Sequence, residues 1–325
     1  MMSGVRLVSA VLLAASIFTT ARAQAGRAES LQTGDADACF GKAEELFGQG
    51  SYAGAAGYYR KATLLRPDYA PAHNGVCVSL FNLGQLEGAA RACGRTLDLQ
   101  PASPVARRNL GRVLQGLGRL EEAVEQFRRA LSLKPDYDEA HYSLGETYRE
   151  LGRDEEAARA FQEAVRLKPD DAMSLNNLGV TYYMLGRYPE AVVALERALR
   201  LRPDLAEGHG NLGFAFAKMR QFERALSAYR RAVELAPGRP ELHYEIAQAQ
   251  LALGHYAEAR DSCARALRIM PTFAPAYQCL GFVYLALGKK EAALEQYQKL
   301  RSLDPDLASA LLRGIYRDRI VDARR

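Results

Sequence analysis

Four of the five histidines stand at regular intervals and are the first candidates for metal ligands. His73, His141 and His209 follow one another at intervals of 68 residues, and His243 follows 34 residues later. Ligands of one metal ion must converge within about 2 Å of it, whereas equivalent side chains of stacked helix pairs lie about 10 Å apart. The spacing therefore predicts four separate packed or hydrogen-bonded imidazoles, and it predicts neither a metal site nor a cofactor.

Other reactive residue types do not combine into a catalytic set. The chain has no GxxxxGK, GxSxG, HExxH or CxxC pattern, the spacings of phosphate loops, serine nucleophiles and zinc sites. Acid pairs such as Glu121 and Glu122 fall where helices are predicted to begin, and there they favour the helix dipole. The formal charge of +5 is small for 325 residues and does not indicate nucleic-acid binding. We predict no catalytic residues and no enzyme activity.

The prolines define the architecture. Eight of them recur at a constant interval of 34 residues: Pro67, Pro101, Pro135, Pro169, Pro203, Pro237, Pro271 and Pro305. With this proline at position 32, eight repeats follow one another without insertion: 36–69, 70–103, 104–137, 138–171, 172–205, 206–239, 240–273 and 274–307. Position 20 is alanine in all eight, position 8 is always small, and position 24 is mostly bulky. Six repeats have Leu-Gly at positions 14 and 15, which is typical of a helix ending at a left-handed glycine.

These columns predict two amphipathic helices in each repeat. Leu110 and Leu114 follow helical spacing, as do Ala123 and Phe127. Small residues at positions 8 and 20 let the two helices approach closely, and one pair cannot bury its apolar side alone. We therefore predict an all-α solenoid. Residues 308–325 are predicted to form a helix with a polar outer side that caps the array.

The repeat resembles the tetratricopeptide repeat over 272 of the 325 residues. One departure is position 4, where that family often carries tryptophan and this chain has none. The resemblance implies a right-handed superhelical solenoid of eight helix–turn–helix repeats. It also implies a concave groove lined by the first helices through positions 2, 5, 6, 9, 12 and 13, and a protein or extended peptide segment as the partner.

Mapped onto this chain, the groove positions supply amide and aromatic side chains. The amides are Asn74, Asn109, Asn176, Asn177 and Asn211. The aromatic residues are Phe81, Tyr142, Tyr183, Phe214, Tyr244 and Phe282. Asparagine amides can donate to and accept from an extended backbone, and the set partly resembles the asparagine ladder in the repeat arm of glycosyltransferases acting on serine and threonine. The alternative is that these asparagines carry no ligand. The strong basic residues of this surface, which do not repeat a carboxylate-clamp pattern, are Arg108, Arg112, Arg149 and Lys218.

Two cysteine pairs are candidates for disulfide bonds. Cys77 and Cys93 are equidistant from a predicted turn, and Cys263 and Cys279 are equidistant from Pro271. Residues equidistant from a turn face each other in an antiparallel helix pair, and a disulfide requires a Cα separation below about 7 Å. The alternative is that each cysteine only fills a small buried position.

Residues 1–23 have the pattern of a cleaved secretory signal peptide. Arg6 precedes an apolar stretch that is shorter than the roughly 20 residues of a membrane span, and Ala21-Arg22-Ala23 is an A-x-A site. Residues 24–35 are then a polar leader. We expect export to a bacterial periplasm or beyond, without membrane insertion after cleavage; an uncleaved anchor is the alternative.

Together these features predict an exported, non-enzymatic interaction scaffold that binds a protein or peptide segment, such as an envelope assembly factor or chaperone. Two alternatives stay open. One is the regulatory or substrate-recognition arm of an enzyme complex such as a glycosyltransferase. The other is a structural element that self-associates through groove or end contacts.

Overall fold

The structure, a computed structural model, describes residues 35–316, and it places them in helices and short turns with no strand in that range. The predicted signal peptide, nearly all of the predicted leader and the last nine residues of the predicted cap lie outside the described residues. The chain divides into two compact units between Leu151 and Gly152, which we call unit 1 and unit 2. No helix within residues 35–316 is long and apolar enough to cross a lipid bilayer.

Seventeen helices account for the described residues. Unit 1 contains α1 (35–48), α2 (Tyr52–Leu65), α3 (Ala70–Asn82), α4 (Leu86–Leu99), α5 (Pro104–Gly116), α6 (Leu120–Leu133) and α7 (Asp138–Glu150). Unit 2 contains α8 (Asp154–Leu167), α9 (Ala172–Met184), α10 (Tyr188–Leu201), α11 (Ala206–Lys218), α12 (Phe222–Leu235), α13 (Pro240–Ala252), α14 (Tyr256–Ile269), α15 (Ala274–Ala286), α16 (Lys290–Leu303) and α17 (Pro305–Ile315).

The odd-numbered helices α1 to α15 are the first helices of the eight repeats, and the even-numbered ones are the second helices. Most helices pack on their neighbours in sequence, as α3 does on α4 and α4 on α5. First helices of adjacent repeats also touch, as α3 and α5 do in unit 1 and α9 and α11 in unit 2. In each unit the side chains at positions 5, 9 and 12 of these helices therefore share one surface, which we call the first-helix face.

Each first helix ends at position 15 in a left-handed residue. Seven of the eight are glycines with positive φ: Gly50, Gly84, Gly118, Gly152, Gly186, Gly254 and Gly288. The eighth is Arg220, with φ 57°, the only non-glycine residue of the described chain in this region. The left-handed helix end predicted from Leu-Gly is confirmed. Repeat 6 has the same left-handed conformation at position 15, although it carries Arg220 there instead of glycine.

The first and second helices of a repeat approach closely at positions 8, 20 and 24. A Cβ on Gly111 would lie 2.7 Å from the Phe127 ring, and one on Gly213 would lie 2.5 Å from the Tyr229 ring. All eight alanines at position 20 are fully buried: Ala55, Ala89, Ala123, Ala157, Ala191, Ala225, Ala259 and Ala293. Because small residues meet bulky ones in the predicted columns, the predicted phase of the repeat is confirmed.

The last helix begins earlier than the predicted cap. α17 starts at Pro305 rather than at residue 308, because the Asp304 carboxylate accepts hydrogen bonds from the backbone N–H groups of Asp306 (3.0 Å) and Leu307 (2.9 Å). An acidic N-cap followed by proline is a strong helix start. α17 buries Leu311 and Ile315 against α15 and α16, so it covers the end of the last repeat.

Ala191 tests the close helix contact. It is fully buried in α10, and its carbonyl oxygen lies 3.2 Å from the position that a Cβ on Gly179 of α9 would occupy. Ala191→Leu is expected to lower the free energy of unfolding by about 1–3 kcal/mol or more, because the added atoms have no space. Chemical denaturation followed by circular dichroism measures this. Val193→Leu, at a 60% exposed position of the same helix, is the control; equal stability of the two variants would contradict the assigned contact.

Arg220 tests the left-handed helix end. An L-residue in this conformation costs roughly 1–2 kcal/mol relative to the right-handed one, and glycine is largely exempt. Arg220→Gly is therefore expected to raise the free energy of unfolding by about 1 kcal/mol. Arg220→Ala, which keeps the Cβ, should give no such gain. If alanine stabilises as much as glycine, backbone strain at this turn is not the cause.

Candidate functional site

The polar side chains at position 4 bind the repeat junction. His73, His141 and His209 each place Nε2 2.9–3.0 Å from the carbonyl oxygen of the position-32 proline six residues earlier. Arg107 (2.7 Å) and Tyr277 (3.1 Å) donate to the corresponding carbonyls of Pro101 and Pro271. The predicted hydrogen-bonded histidines are thus confirmed, and the proline carbonyl is their common acceptor.

His243 lies in the same arrangement, with a hydrogen bond to the Pro237 backbone. Burial lowers the pKa of His243, and the positive charges of Arg265 and Arg268 lower it further. Within residues 35–316, no group of three or more histidine, cysteine or acidic side chains could hold a metal ion. Six of the eight position-4 side chains therefore bond to the backbone of the preceding repeat.

The predicted amides are placed on the first helices, but four of them bond to one another. Asn109 Nδ2 donates to Asn74 Oδ1 (2.9 Å), which joins α5 to α3. Asn211 Nδ2 donates to Asn176 Oδ1 (3.3 Å), which joins α11 to α9. Asn109 and Asn176 are also buried, and Asn177 is half-buried on α9. Because these bonds run between adjacent repeats, the four amides have less to offer a bound backbone than the sequence suggested.

The predicted aromatic residues are all half-buried on first helices. Tyr183 and Phe214 of adjacent repeats come together, with ring centroids 6.4 Å apart. Tyr244 packs edge-on against Phe273 at 5.9 Å and accepts a hydrogen bond from Gln248. Phe282 instead lies against α17, where a Cβ on Gly314 would come within 2.9 Å of its ring. Tyr142 is hydrogen-bonded to Glu146 on α7.

Unit 1 concentrates positive charge on its first-helix face. Arg108 and Arg112 are one turn apart on α5, and the Arg112 guanidinium lies 4.7 Å from the centre of the Phe81 ring on α3. Burial lowers the pKa of Arg112, and the charge of Arg108 lowers it further, against the weaker attraction of Glu146. Among the described residues neither arginine has an ion-pair partner, and the Arg108 Nε atom is buried without a hydrogen bond. Sequence spacing identified both arginines as basic residues of this face but not their lack of counterions.

Clefts between second helices were not anticipated. In unit 2, a cleft of about 660 Å³ is lined by residues of α10, α11 and α12, including His209 and Phe216. Across it, Arg224 donates to Glu196 at 3.1 Å. A related cleft of about 430 Å³ lies one repeat further along and is lined by both acids and arginines. Both clefts are lined by acidic and basic side chains, some of them paired with each other, so neither cleft favours a ligand of one particular charge.

The structure joins the first cysteine pair. Cys77 on α3 and Cys93 on α4 form a disulfide with a Cα separation of 5.2 Å. They occupy positions 8 and 24 of repeat 2, where other repeats place a small and a bulky residue in contact. In repeat 2 the disulfide therefore replaces the packing contact that other repeats make between positions 8 and 24.

The second cysteine pair is not bonded in the structure. Cys263 on α14 and Cys279 on α15 are buried free thiols, and their side chains are hydrogen-bonded to each other. This contact raises the pKa of Cys263, and burial raises it further. The two residues stand at position 24 of repeat 7 and position 6 of repeat 8, so they face each other across a repeat junction. Their oxidation stays a prediction.

Tandem helix pairs with this register define an all-α repeat scaffold. Models of the tetratricopeptide repeat match residues 40–104, 78–138, 108–172, 142–206 and 211–272, and a further one matches 274–307. The chain belongs to the tetratricopeptide repeat family, whose members typically bind proteins or peptides. No curated protein matches the sequence.

Solved structures show the same fold. The C-terminal part of a TPR repeat-containing protein from Cytophaga hutchinsonii is 20% identical, with a TM-score of 0.60 over 74% of this chain and 99% of that one. The Cut9–Hcn1 hetero-tetramer of APC/C is 19% identical in sequence, with a TM-score of 0.56 over 84% of this chain and 54% of the other. This chain therefore spans about half the length of that relative. YrrB, described as a TPR protein with an unusual peptide-binding site, is 23% identical, with a TM-score of 0.53 over 58% of this chain and 97% of that one. These likenesses concern the fold alone.

The Cys77–Cys93 bond gives a test of stability. It closes a loop with a sequence separation of 16, and a loop of this size is expected to contribute about 3 kcal/mol. Reduction should therefore lower the melting temperature of the oxidised protein, and Cys77→Ser with Cys93→Ser should abolish that response. A Cys263→Ala, Cys279→Ala variant is the control, because it retains the first pair and should still respond to reductant. A parent protein that melts identically with and without reductant would contradict the assigned bond.

Proposed function

We propose that this protein is an exported, non-enzymatic scaffold that binds a segment of a partner protein on its first-helix face, and that in unit 1 this segment is acidic. Membership of a family of generally non-catalytic interaction scaffolds supports the first part. The observation that carries the second is the pair of half-buried arginines, Arg108 and Arg112, that form no salt bridge among the described residues.

The energetics of this arginine pair favour an anionic ligand. Like charges one turn apart on a helix destabilise it by roughly 0.2–0.5 kcal/mol, and partial burial removes some of the water that would screen them. A carboxylate can accept two parallel hydrogen bonds from one guanidinium. An acidic side chain or a chain terminus would thus supply the missing charge, and Phe81 provides an apolar floor beneath Arg112.

The alternative of a substrate-recognition arm for a glycosyltransferase rested on a row of asparagine amides. Two pairs of these amides bond to each other between repeats, so the observation that favoured a backbone-gripping ladder is weakened. Self-association of the chain is tested by sedimentation and is not favoured by a specific contact.

Export is the second component of the proposal. It is supported by the signal-peptide pattern of residues 1–23, and by the Cys77–Cys93 bond, because disulfides persist mainly in oxidising compartments. An envelope assembly factor or chaperone is the role that fits a scaffold in such a compartment.

Arg112 gives the test of the acidic partner. A fluorescein-labelled peptide of alternating glutamate and serine is titrated with the protein at low salt, and fluorescence anisotropy measures its Kd. Arg112→Gln should weaken binding about tenfold, as expected for the loss of one charged hydrogen-bonded pair. It should leave the melting temperature of the free protein unchanged or slightly higher, because a like-charge repulsion is removed.

Arg91→Gln is the control for net charge. Arg91 is exposed on α4, away from the first-helix face, and its loss removes the same charge. Equal weakening by both variants would indicate only non-specific attraction, and unaltered binding by Arg112→Gln would remove the arginine pair from the account.

A further inference from the structure

Unit 2 contains a carboxylate with no partner. Glu245 is at position 6 of α13 and is only partly exposed, and it forms no hydrogen bond or ion pair with any described residue. Burial raises the pKa of Glu245, opposed by the positive charge of Lys218 on α11. It is the only charged residue at position 6 in the eight repeats. Partial burial takes water away from a carboxylate that no described residue neutralises through a salt bridge, so its placement requires an explanation.

A second unsatisfied group lies beneath the same place. Tyr229 on α12 is fully buried, and its hydroxyl has no hydrogen-bond partner. Burial raises the pKa of Tyr229, and the charges of Glu245 and Tyr183 contribute to the shift. The Phe214 ring meets the Tyr229 ring edge-on at 5.5 Å and lies 6.4 Å from Tyr183. The Glu245 carboxylate is thus near enough to Tyr229 for its charge to raise the pKa of that residue, and Tyr229 packs against Phe214.

The first repeat shows how the same arrangement is satisfied internally. Tyr59 is the position-24 equivalent of Tyr229, and its hydroxyl donates to the carboxylate of Glu44 at position 9 of its own repeat. In repeat 6, position 9 is Phe214, which has no acceptor. The residue at position 6 of the following repeat also differs. After Tyr59 it is Gly75, where a Cβ would lie 2.5 Å from the Tyr59 ring; after Tyr229 it is Glu245. The acidic residue of repeat 1 thus lies in the same repeat as its tyrosine and is bonded to it, whereas Glu245 lies in the repeat after Tyr229 and the Tyr229 hydroxyl has no hydrogen bond.

We propose that Glu245, with the rings of Phe214 and Tyr183, forms a subsite that binds a lysine or arginine side chain of a partner polypeptide. This inference rests on the proposed scaffold function and specifies a second, oppositely charged contact on the first-helix face of unit 2. The ammonium or guanidinium group donates to the Glu245 carboxylate, and the electron-rich faces of the rings attract its charge. Tyr229 is too buried to touch the ligand, and it fixes the position of Phe214 from below.

The test uses the full chain and a fluorescein-labelled peptide of alternating lysine and serine, with Kd measured by fluorescence anisotropy at low salt. Glu245→Gln is expected to weaken binding about tenfold, because it removes the charge and keeps the shape of the side chain. Glu241→Gln, at an exposed acid on the same helix, is the matched control and should change the Kd by less than about twofold. Glu245→Gln should melt at or above the temperature of the parent, which excludes unfolding as the cause.

The outcomes separate this subsite from the acidic-segment site of unit 1. Retained lysine-peptide binding in Arg112→Gln together with its loss in Glu245→Gln supports the subsite even if the glutamate peptide does not bind at all. Equal effects of Glu245→Gln and Glu241→Gln would overturn it, as would a parent protein that does not bind the lysine peptide.

Discussion

In each unit, the close approach of the first and second helices of a repeat determines which positions are left for other roles. Where position 8 is glycine, an added Cβ would clash with the residue at position 24, as Gly111 and Gly179 show against Phe127 and Leu195. The alanines at position 20 are fully buried in every repeat. Backbones this close give close packing without large apolar side chains on both helices, and they commit positions 8, 20 and 24 to the core.

What remains available for binding follows from that commitment. A polar side chain at position 4, such as His73 or His209, bonds to the proline carbonyl of the preceding repeat, so it fixes the junction. Positions 5, 9 and 12 of the first helices are left to vary, and this is where Arg108, Arg112 and Phe214 stand. The unsatisfied charges are concentrated at these variable positions and their neighbour, position 6. In a scaffold whose positions 8 and 20 are small in every repeat, specificity resides in those side chains that the packing does not use.

Side-chain size at a 34-residue interval predicted most of the fold. Each column meets the same neighbours in every repeat, so the helix pairs, the left-handed turn residues and the buried alanines could be inferred without coordinates. The start of α17 could not, because proline at position 32 follows a second helix in seven repeats and opens a helix only where Asp304 caps it. The left-handed Arg220 was also hidden, since the turn there is imposed by the neighbouring helices rather than by a glycine.

The candidate site was predicted less well than the fold, for a physical reason. Which face a residue occupies follows from helical periodicity, and the predicted aromatic side chains do lie on first helices. Whether a polar group is free depends on the rotation of adjacent helices and on side-chain rotamers, which the sequence pattern does not encode. Asn109 and Asn74 therefore bond to each other, whereas Arg112 and Glu245 form no salt bridge with any described residue.

A crystal structure of the full chain with the glutamate–serine peptide would show whether unit 1 binds an acidic segment on its first-helix face. We expect a peptide carboxylate within hydrogen-bond distance of the Arg112 guanidinium, with the peptide running along α3 and α5. A peptide seated between second helices, or one that leaves Arg108 and Arg112 without a carboxylate, would contradict it.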